Sequence, residues 1–184
     1  MSIATPGRVG LAAALAALAV PAALGQTPSA APAPLVGCDS EESRQFDFWV
    51  GEWEVYPAAQ PETKVADSLI EKLYAGCAIR ENWMPLSGAD GGSLSAYVSA
   101  DKGWRQTWVD SSGGFVEFAG GFADGKMTIE GVWPQPGKPE QITRMTYSVL
   151  EDGSVRQFGE ASDDDGATWA PAFDLIYRRK AQAD

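Results

Sequence analysis

The sequence predicts an all-β fold, an antiparallel up-and-down β-barrel of about ten strands, preceded by a short N-terminal helical plug. Beyond residue 55 the chain contains short runs of alternating side chains and no helical period of useful length. Turn sequences such as SSGG and ADG separate these runs and are typical of hairpins. A meander of this length has two edge strands, and closing the sheet into a barrel covers both of them.

The alternating runs define ten predicted strands. They lie at residues 52–57, 64–73, 76–84, 93–99, 103–110, 114–120, 125–133, 141–150, 153–161 and 171–179. A barrel of this size is wide enough to leave a cavity in its interior.

The segment before the first strand, FDFWVGEWEV at residues 46–55, carries four aromatic residues in ten positions. Phe46 and Trp49, three residues apart, share one face of a short helical turn with the valine that follows. Gly51 then permits a sharp change of direction, and Trp53 begins the two-residue alternation of the first strand. We therefore expect the rings before Gly51 to plug the barrel rather than to bind a ligand.

Residues 1–25 have the features of a secretory signal peptide. A single Arg8 precedes an apolar run from Val9 to Val20, and small residues end the segment where a signal peptidase would cleave. A transmembrane helix is the alternative, but the run is shorter than the roughly 20 apolar residues that span a bilayer.

The remaining chain divides into two predicted parts. Residues 26–37, rich in proline and alanine, are predicted to form a linker, and residues 38–184 to form the barrel domain. We expect the protein to be exported, to the periplasm or the extracellular space, with no stable membrane insertion after the signal is cleaved.

The chain has two cysteines, Cys38 and Cys77. An even number of cysteines in an exported chain favours a disulfide, which would tie the start of the domain to an internal strand. Two buried free thiols are the alternative. The sequence LVGC at residues 35–38 also resembles a lipoprotein cleavage box, which would make Cys38 a lipid anchor, although the linker separates it from the apolar run.

The formal net charge is -11, and it becomes -12 once Arg8 leaves with the signal peptide. Such an acidic surface repels phosphate backbones and anionic lipids, so we expect no nucleic-acid partner. The chain contains no histidine, which excludes Ser-His and Cys-His catalytic pairs, histidine-bound zinc and haem held by a proximal histidine. We predict no cofactor and no metal site.

Three segments together resemble a mostly bacterial β-barrel family known only as a domain of unknown function. They are FDFWVGEWEV, GCAIRENW at residues 76–83 and the stretch from Gly92 to Phe122. The family is distantly similar to lipocalin and nitrobindin-like calycin barrels. The resemblance implies a barrel of about ten strands and implies no particular activity. Nitrobindin-like proteins hold haem on a histidine, which this chain lacks.

Alternation on two predicted strands separates a face that carries tryptophans from the opposite face. On AIRENWM, Glu81 and Trp83 share a face opposite Arg80, and on GWRQTWVD the two tryptophans share a face with Gln106 and Asp110. With the aromatic faces inward, the cavity would combine indole walls with sparse polar groups, a mixture that suits a small amphipathic ligand. The predicted ligand-binding residues are Trp53, Glu81, Trp83, Tyr97, Gln106, Trp108, Asp110 and Tyr147.

The sequence SDDDGATW at residues 162–169 resembles the Asp-box hairpin of sialidase propellers, but it occurs only once. The pattern is explained by a turn in which aspartate side chains accept from backbone amides, Gly166 takes a positive φ and Trp169 packs beneath. A calcium site on the three consecutive aspartates is the alternative, although they lack a full oxygen cage.

We therefore expect an exported barrel protein that binds a small hydrophobic or amphipathic molecule in its interior. Two alternatives remain open. A hydrolase-like enzyme would use buried carboxylates, for which Glu81 and Asp110 are the pair to test. In a structural or interaction barrel the tryptophans would fill the core, and Glu81 would form an ion pair with Arg80, Arg105 or Arg144.

Overall fold

The computed structural model describes residues 38–134 and 140–181, together with Met1. The predicted signal peptide, residues 1–25, and the predicted linker, residues 26–37, lie outside the described residues apart from Met1. Within the described ranges, no helix has both the length and the apolar character needed to cross a membrane.

Ten antiparallel strands form one closed sheet, which confirms the predicted barrel. Each strand pairs with the next along the chain, and β1 pairs with β10 to complete the ring. The strands are β1 (Gly51–Pro57), β2 (Ala66–Leu73), β3 (Ala78–Pro85), β4 (Gly91–Val98), β5 (Gly103–Asp110), β6 (Phe115–Ala123), β7 (Lys126–Trp133), β8 (Gln141–Val149), β9 (Val155–Ser162) and β10 (Ala170–Arg179). This architecture is consistent with the resemblance to calycin barrels.

The largest difference from the predicted strand ends lies in β6, which runs to Ala123 instead of residue 120. The consecutive glycines Gly120 and Gly121 both continue the ladder and pair with Ile129 and Thr128 of β7. Glycine is required at position 120, because a Cβ there would collide with the carbonyl oxygen of Thr128. Gly120 therefore marks a close approach of two strands and not a turn.

The direction of the strands gives the barrel two different ends. Because every neighbouring pair is antiparallel, odd-numbered strands start at one end and even-numbered strands start at the other. We call the end at which β1 starts the plug end, since the short N-terminal helix precedes β1 there. We call the opposite end the mouth, and it carries the connections that follow each odd-numbered strand.

The segment before β1 forms the predicted plug. Helix α1 (Glu41–Arg44) is capped by the Ser40 side chain and is followed by a 3₁₀ turn, Asp47–Trp49. Phe46 and Trp49 are buried, and their rings stack with centroids 4.9 Å apart. Both rings also contact the ring of Tyr147, with centroid separations of 5.0 and 4.9 Å. The aromatic rings of this segment therefore close one end of the barrel.

Gly51 makes the corner between the plug and β1. Its φ of 150° is rarely adopted by residues with a Cβ, and a Cβ here would also collide with the guanidinium of Arg179. That guanidinium lies 4.4 Å from the ring centre of Trp53 and donates to the carbonyl oxygen of Val50. The corner thus leaves room for an arginine that covers the first tryptophan of the barrel.

Cys38 and Cys77 form a disulfide, as predicted, with their Cα atoms 4.7 Å apart. Cys77 follows the short turn Tyr74–Gly76 and precedes β3, so the bridge joins the start of the plug to the β2–β3 connection rather than to a strand. The backbone amide of Cys38 also donates to the carbonyl oxygen of Ala75 at 3.1 Å. The bond excludes free thiols and a lipid anchor on Cys38. Disulfides persist mainly in oxidising compartments.

The hairpin between β9 and β10 has the structure predicted from SDDDGATW. Asp164 accepts hydrogen bonds from the backbone amide of Thr168 and from the hydroxyl of Ser162, both at 2.8 Å. Gly166 has a φ of 84°, and the Trp169 indole donates to its carbonyl oxygen at 3.0 Å. The Asp164 carboxylate therefore holds the turn together. In the described part of the chain, no three acidic or cysteine side chains cluster as metal ligands would.

Candidate functional site

The interior of the barrel contains a cavity of about 190 Å³. Its lining comes from seven strands, β3 and β5 to β10, and is mainly aromatic and aliphatic. The lining residues are Glu81, Trp83, Gln106, Trp108, Phe118, Trp133, Met145, Tyr147, Gln157, Phe173, Leu175 and Tyr177. The side chains of the barrel therefore leave part of its interior empty, whereas they would fill the interior of a purely structural barrel.

The cavity is deepest near the plug and is reached from the mouth. Phe118, Met145, Tyr147 and Tyr177 are buried in its inner part. Five other lining residues, which stand near the mouth ends of their strands, are partly exposed: Trp83, Trp108, Trp133, Phe173 and Leu175. We call these five the mouth residues. They form an apolar opening, while the plug closes the other end.

The rings of the mouth residues pack at angles rather than face to face. The Trp133 ring lies 6.3 Å from that of Trp108 at an interplanar angle of 44°, and 6.0 Å from that of Phe118. Trp83 lies 6.5 Å from the ring of Tyr177. Such tilted arrangements are favourable between aromatic rings, so the wall is held in place without a ligand.

Phe173 reaches the cavity through the regular alternation of β10. It lies two residues before Leu175 and four before Tyr177, and the pairing of these three residues with β9 is in regular register, so all three turn inward. The Phe173 ring lies against the backbone of Gly159, where any Cβ would collide with it. A glycine on the neighbouring strand therefore makes room for this ring of the aromatic wall.

Glu81 is the only ionisable carboxyl group in the described lining of this cavity, and it is 5% exposed. One of its oxygens accepts hydrogen bonds from Ser68 at 3.3 Å and Tyr177 at 3.4 Å, and the other accepts from Ser93 at 3.1 Å. Strand alternation places the two serines, because Ser93 of β4 is aligned with Glu81, and Ser68 of β2 is aligned with Trp83, which shares the inward face of β3 with Glu81. The carboxyl group is thus held by hydroxyls alone.

The expected alternative, an ion pair between Glu81 and an arginine, is wrong. All three candidate arginines lie on the outer face of the barrel and pair with carboxylates there: Arg80 with Glu71, Arg105 with Asp101 and Arg144 with Glu160. The physical reason is alternation, since residues next to an inward position on the same strand point outward. No cationic side chain among the described residues therefore compensates the charge of Glu81.

Burial raises the pKa of Glu81 from its ordinary value of 4.5 to about 7, although the hydrogen bonds from Ser93, Ser68 and Tyr177 oppose the shift. Burial also raises the pKa values of Tyr147 and Tyr177 well above 10, and the nearby charge of Glu81 adds to this effect. Both tyrosines therefore stay protonated at neutral pH, and Glu81 alone titrates there.

A chain of hydrogen bonds extends from Glu81 across the inner part of the cavity. The Tyr177 hydroxyl donates to Gln157 Oε1 at 2.7 Å, and Gln157 Nε2 donates to the Tyr147 hydroxyl at 2.9 Å. Gln106 donates separately to Ser95 at 2.9 Å. These contacts satisfy most of the polar atoms around the inner part of the cavity and fix the orientation of both tyrosines.

Five of the eight predicted site residues line the cavity: Glu81, Trp83, Gln106, Trp108 and Tyr147. The structure does not bring Trp53, Tyr97 and Asp110 into the lining. Trp53 is buried at the plug end, where its indole donates to the carbonyl oxygen of Trp49 at 2.8 Å. Tyr97 also lies at the plug end and packs against Trp104, with ring centroids 6.3 Å apart.

Asp110, the last residue of β5, caps the β5–β6 turn. It accepts hydrogen bonds from the backbone amides of Ser112 at 2.9 Å and Gly114 at 3.0 Å, and the Trp108 indole donates to it at 3.0 Å. The hydrogen bonds from the Ser112 hydroxyl, the Trp108 indole and the Gly114 amide lower its pKa to about 2. Asp110 therefore stays ionised and orients Trp108 instead of pairing with Glu81.

Sequence reasoning missed seven lining residues: Phe118, Trp133, Met145, Gln157, Phe173, Leu175 and Tyr177. A signal was present for some of them, because Phe173, Leu175 and Tyr177 alternate on β10 as an apolar face would. No comparable pattern identified Gln157, which is a buried polar residue on β9.

We predict that Glu81 makes the stability of the protein depend on pH. Because its pKa is about 7 in the folded chain and 4.5 ordinarily, the unfolded chain loses this proton first as the pH rises. The free energy of unfolding should fall by roughly 3 kcal/mol between pH 4.5 and 7 on this account, and then level off. Urea unfolding of the wild type and Glu81→Gln across this range measures the difference.

Glu71→Gln is the matched control, because Glu71 lies on the outer face and pairs with Arg80. The stability difference between wild type and Glu71→Gln should change little over the same pH range. If the stability of wild type and that of Glu81→Gln depended on pH in the same way, folding would not raise the pKa of Glu81, and the prediction would be wrong.

Neither the protein-family models nor the curated proteins gave a match to this chain.

Proposed function

We propose that the protein binds a small hydrophobic or amphipathic molecule inside the barrel. The observation that carries this proposal is the cavity of about 190 Å³, with an aromatic wall at the mouth and a few oriented polar groups within. Aromatic area supplies affinity without direction, and sparse polar groups fix the orientation of a ligand. An exported location also belongs to the proposal, supported by the predicted signal peptide and by the disulfide between Cys38 and Cys77.

The volume of the cavity limits the size of the ligand. An engineered apolar cavity of about 150 Å³ in another protein accommodates benzene, whereas pockets for drug-sized ligands hold roughly 300 to 1,000 Å³. A cavity of about 190 Å³ therefore suits a molecule with one ring and a short polar substituent, or an aliphatic chain of similar size.

Binding of benzyl alcohol, a molecule of this size, tests the proposal. We expect the wild type to bind it in a ligand-observed NMR titration, and Trp108→Ala to weaken binding at least tenfold because one wall of the cavity is lost. Val109→Ala is the matched control, since Val109 is the next residue on β5, faces outward and is 52% exposed. It should bind as the wild type does.

Two outcomes would count against this function. Equal binding by Trp108→Ala and the wild type would place the probe elsewhere on the protein. If the wild type binds neither benzyl alcohol nor other one-ring molecules, such as toluene and benzylamine, a structural or protein-interaction role would be the better description.

A second candidate function, catalysis by Glu81, is favoured by one observation. A carboxyl group with a pKa of about 7 in a cavity can accept or donate a proton at neutral pH. The predicted pair of Glu81 and Asp110 does not form, because Asp110 caps a turn outside the cavity lining. A catalytic role would therefore depend on Glu81 with Tyr177 and would appear as turnover of a small ester that Glu81→Gln abolishes.

A further inference from the structure

We propose that the ligand is a protonated amine, whose ammonium group contacts Glu81 while its apolar body lies among the mouth residues. This inference rests on the proposed binding function and assigns it a chemical class. Three features of the cavity support it: the unused hydrogen-bonding capacity of Glu81, the lack of a counter-charge beside it, and the aromatic wall.

The hydrogen bonds of Glu81 leave room for a stronger donor. They measure 3.1 to 3.4 Å, whereas hydroxyl donors to a carboxylate usually lie at about 2.5 to 2.7 Å. Tyr177 has a single hydroxyl proton, and the shorter contact of that hydroxyl, 2.7 Å, is to Gln157. A carboxylate has about four acceptor positions, so Ser68 and Ser93 leave part of its capacity unused. An ammonium group, which has up to three donors, would fill it.

The described chain supplies no cation to this carboxylate. Beyond the arginines already considered, Arg156 pairs with Asp174 at 2.7 Å, and Arg179 lies over Trp53 at the plug end. A buried carboxylate without a counter-charge is costly, and an opposite charge on a ligand would relieve that cost. A ligand carrying its own carboxylate would raise the cost, and a neutral alcohol would leave it unchanged.

The aromatic wall favours a cation as well as an apolar body. Trp83, Trp108, Trp133, Phe173 and Tyr177 surround the same cavity as Glu81. The faces of such rings attract ammonium groups, and aromatic cages combined with a carboxylate are suited to them. The net charge of -11 further favours the approach of cations to the protein surface.

The titration of Glu81 provides a signature of this mode of binding. The groups facing it are Ser68 of β2, Ser93 of β4 and Tyr177 of β10, with Tyr147 of β8 further along the hydrogen-bond chain. Only the tyrosines among these titrate, and both remain protonated at neutral pH. An ammonium group beside Glu81 would lower its pKa from about 7, so binding at pH 7 would release a proton.

A series of three probes with the same ring tests the inference in the wild type, without relying on a variant that must fold. Benzylamine, benzyl alcohol and benzoate are compared by isothermal titration calorimetry at pH 7 and pH 5. We expect benzylamine to bind at least tenfold more tightly than benzyl alcohol at pH 7, and benzoate to bind most weakly. At pH 5, where Glu81 is protonated, benzylamine affinity should fall at least tenfold while benzyl alcohol affinity is unchanged.

Proton release and one variant pair complete the test. Titrations in two buffers of different ionisation enthalpy should show that benzylamine, and not benzyl alcohol, releases a fraction of a proton at pH 7. Glu81→Gln should remove the preference for benzylamine over benzyl alcohol, whereas the outer-face control Glu71→Gln should keep that preference.

The outcomes separate this inference from the proposed function. If benzyl alcohol binds and benzylamine binds no more tightly, with no proton released, the cavity binds ligands but the amine class is overturned. If none of the three probes binds, the proposed function fails for ligands of this size, and the inference fails with it. A benzylamine preference that persists in Glu81→Gln would also overturn the inference, because the ammonium group would then lie elsewhere.

Discussion

Replacing Trp49 with alanine should lower the free energy of unfolding by about 3 to 5 kcal/mol, the usual cost of removing a large buried aromatic side chain. Trp49 has no exposed surface, and its ring contacts those of Phe46, Tyr147 and Tyr177. The alanine variant would leave a void where the plug meets the strands β8 and β10. Urea unfolding followed by circular dichroism measures the loss.

Trp49→Phe is the matched control for this substitution. It keeps an aromatic ring and removes the indole Nε1, which is buried and has no hydrogen-bond partner among the described residues. Because an unpaired buried donor is itself unfavourable, the phenylalanine variant should lose much less stability than the alanine variant. A loss below about 1 kcal/mol for Trp49→Ala would show that the plug is not packed into the barrel.

Removing the disulfide should cost about 4 kcal/mol in the chain-entropy description, because the bond closes a loop across 39 positions. That loop contains the plug, β1 and β2, so the reduced unfolded chain gains freedom over all of them. We expect the double variant Cys38→Ser, Cys77→Ser to unfold at a much lower urea concentration than the oxidised wild type.

Reduction provides the control for the disulfide prediction. Dithiothreitol should lower the stability of the wild type to about that of the double variant and should leave the double variant unchanged. Equal unfolding midpoints for the oxidised wild type and the double variant would mean that the barrel contacts alone hold the plug in place.

Local patterns in the sequence predicted the strands and the inward faces well, because both depend on alternation within a single strand. Glu81 and Trp83 on β3, and Gln106 and Trp108 on β5, line the cavity as alternation requires. The plug was also predictable, since the spacing of Phe46 and Trp49 is helical and Gly51 follows at once. None of these features depends on how distant parts of the chain pair.

The position of a residue along the barrel axis could not be predicted, and this explains why three of the predicted site residues lie outside the cavity lining. Alternation shows whether a side chain points inward, but the height of the cavity depends on how far the plug enters the barrel. Trp53 and Tyr97 lie at the end of the barrel that the plug fills. Asp110 lies at the mouth, where its carboxylate accepts hydrogen bonds from a turn. The depth of the plug follows from packing between residues far apart in sequence.

Most of the missed residues lie on the last strands, where pairing decides the outcome. The Phe173 ring fits into the wall only because Gly159, its partner on β9, has no side chain, and the local sequence of β10 does not specify that partner. Gln157 and Tyr177 are positioned by the hydrogen bond between them, which forms only when two neighbouring strands are aligned. Glu81, the one carboxyl group in the described lining of the cavity, was nevertheless identified from its strand alone.

The pairing of β1 with β10 determines when the barrel can first form during synthesis. Trp53 is aligned with Arg179 across this seam, and Arg179 donates to the Val50 carbonyl oxygen across 129 positions. The rings that receive the plug, Tyr147 and Tyr177, also belong to late strands. A chain that emerges N-terminus first therefore carries its most aromatic segment without these partners until β10 has been made. The contact between β1 and β10 spans the longest sequence separation in the barrel, so its loop-closure cost is the largest, and the ring of strands can close only once β10 is available.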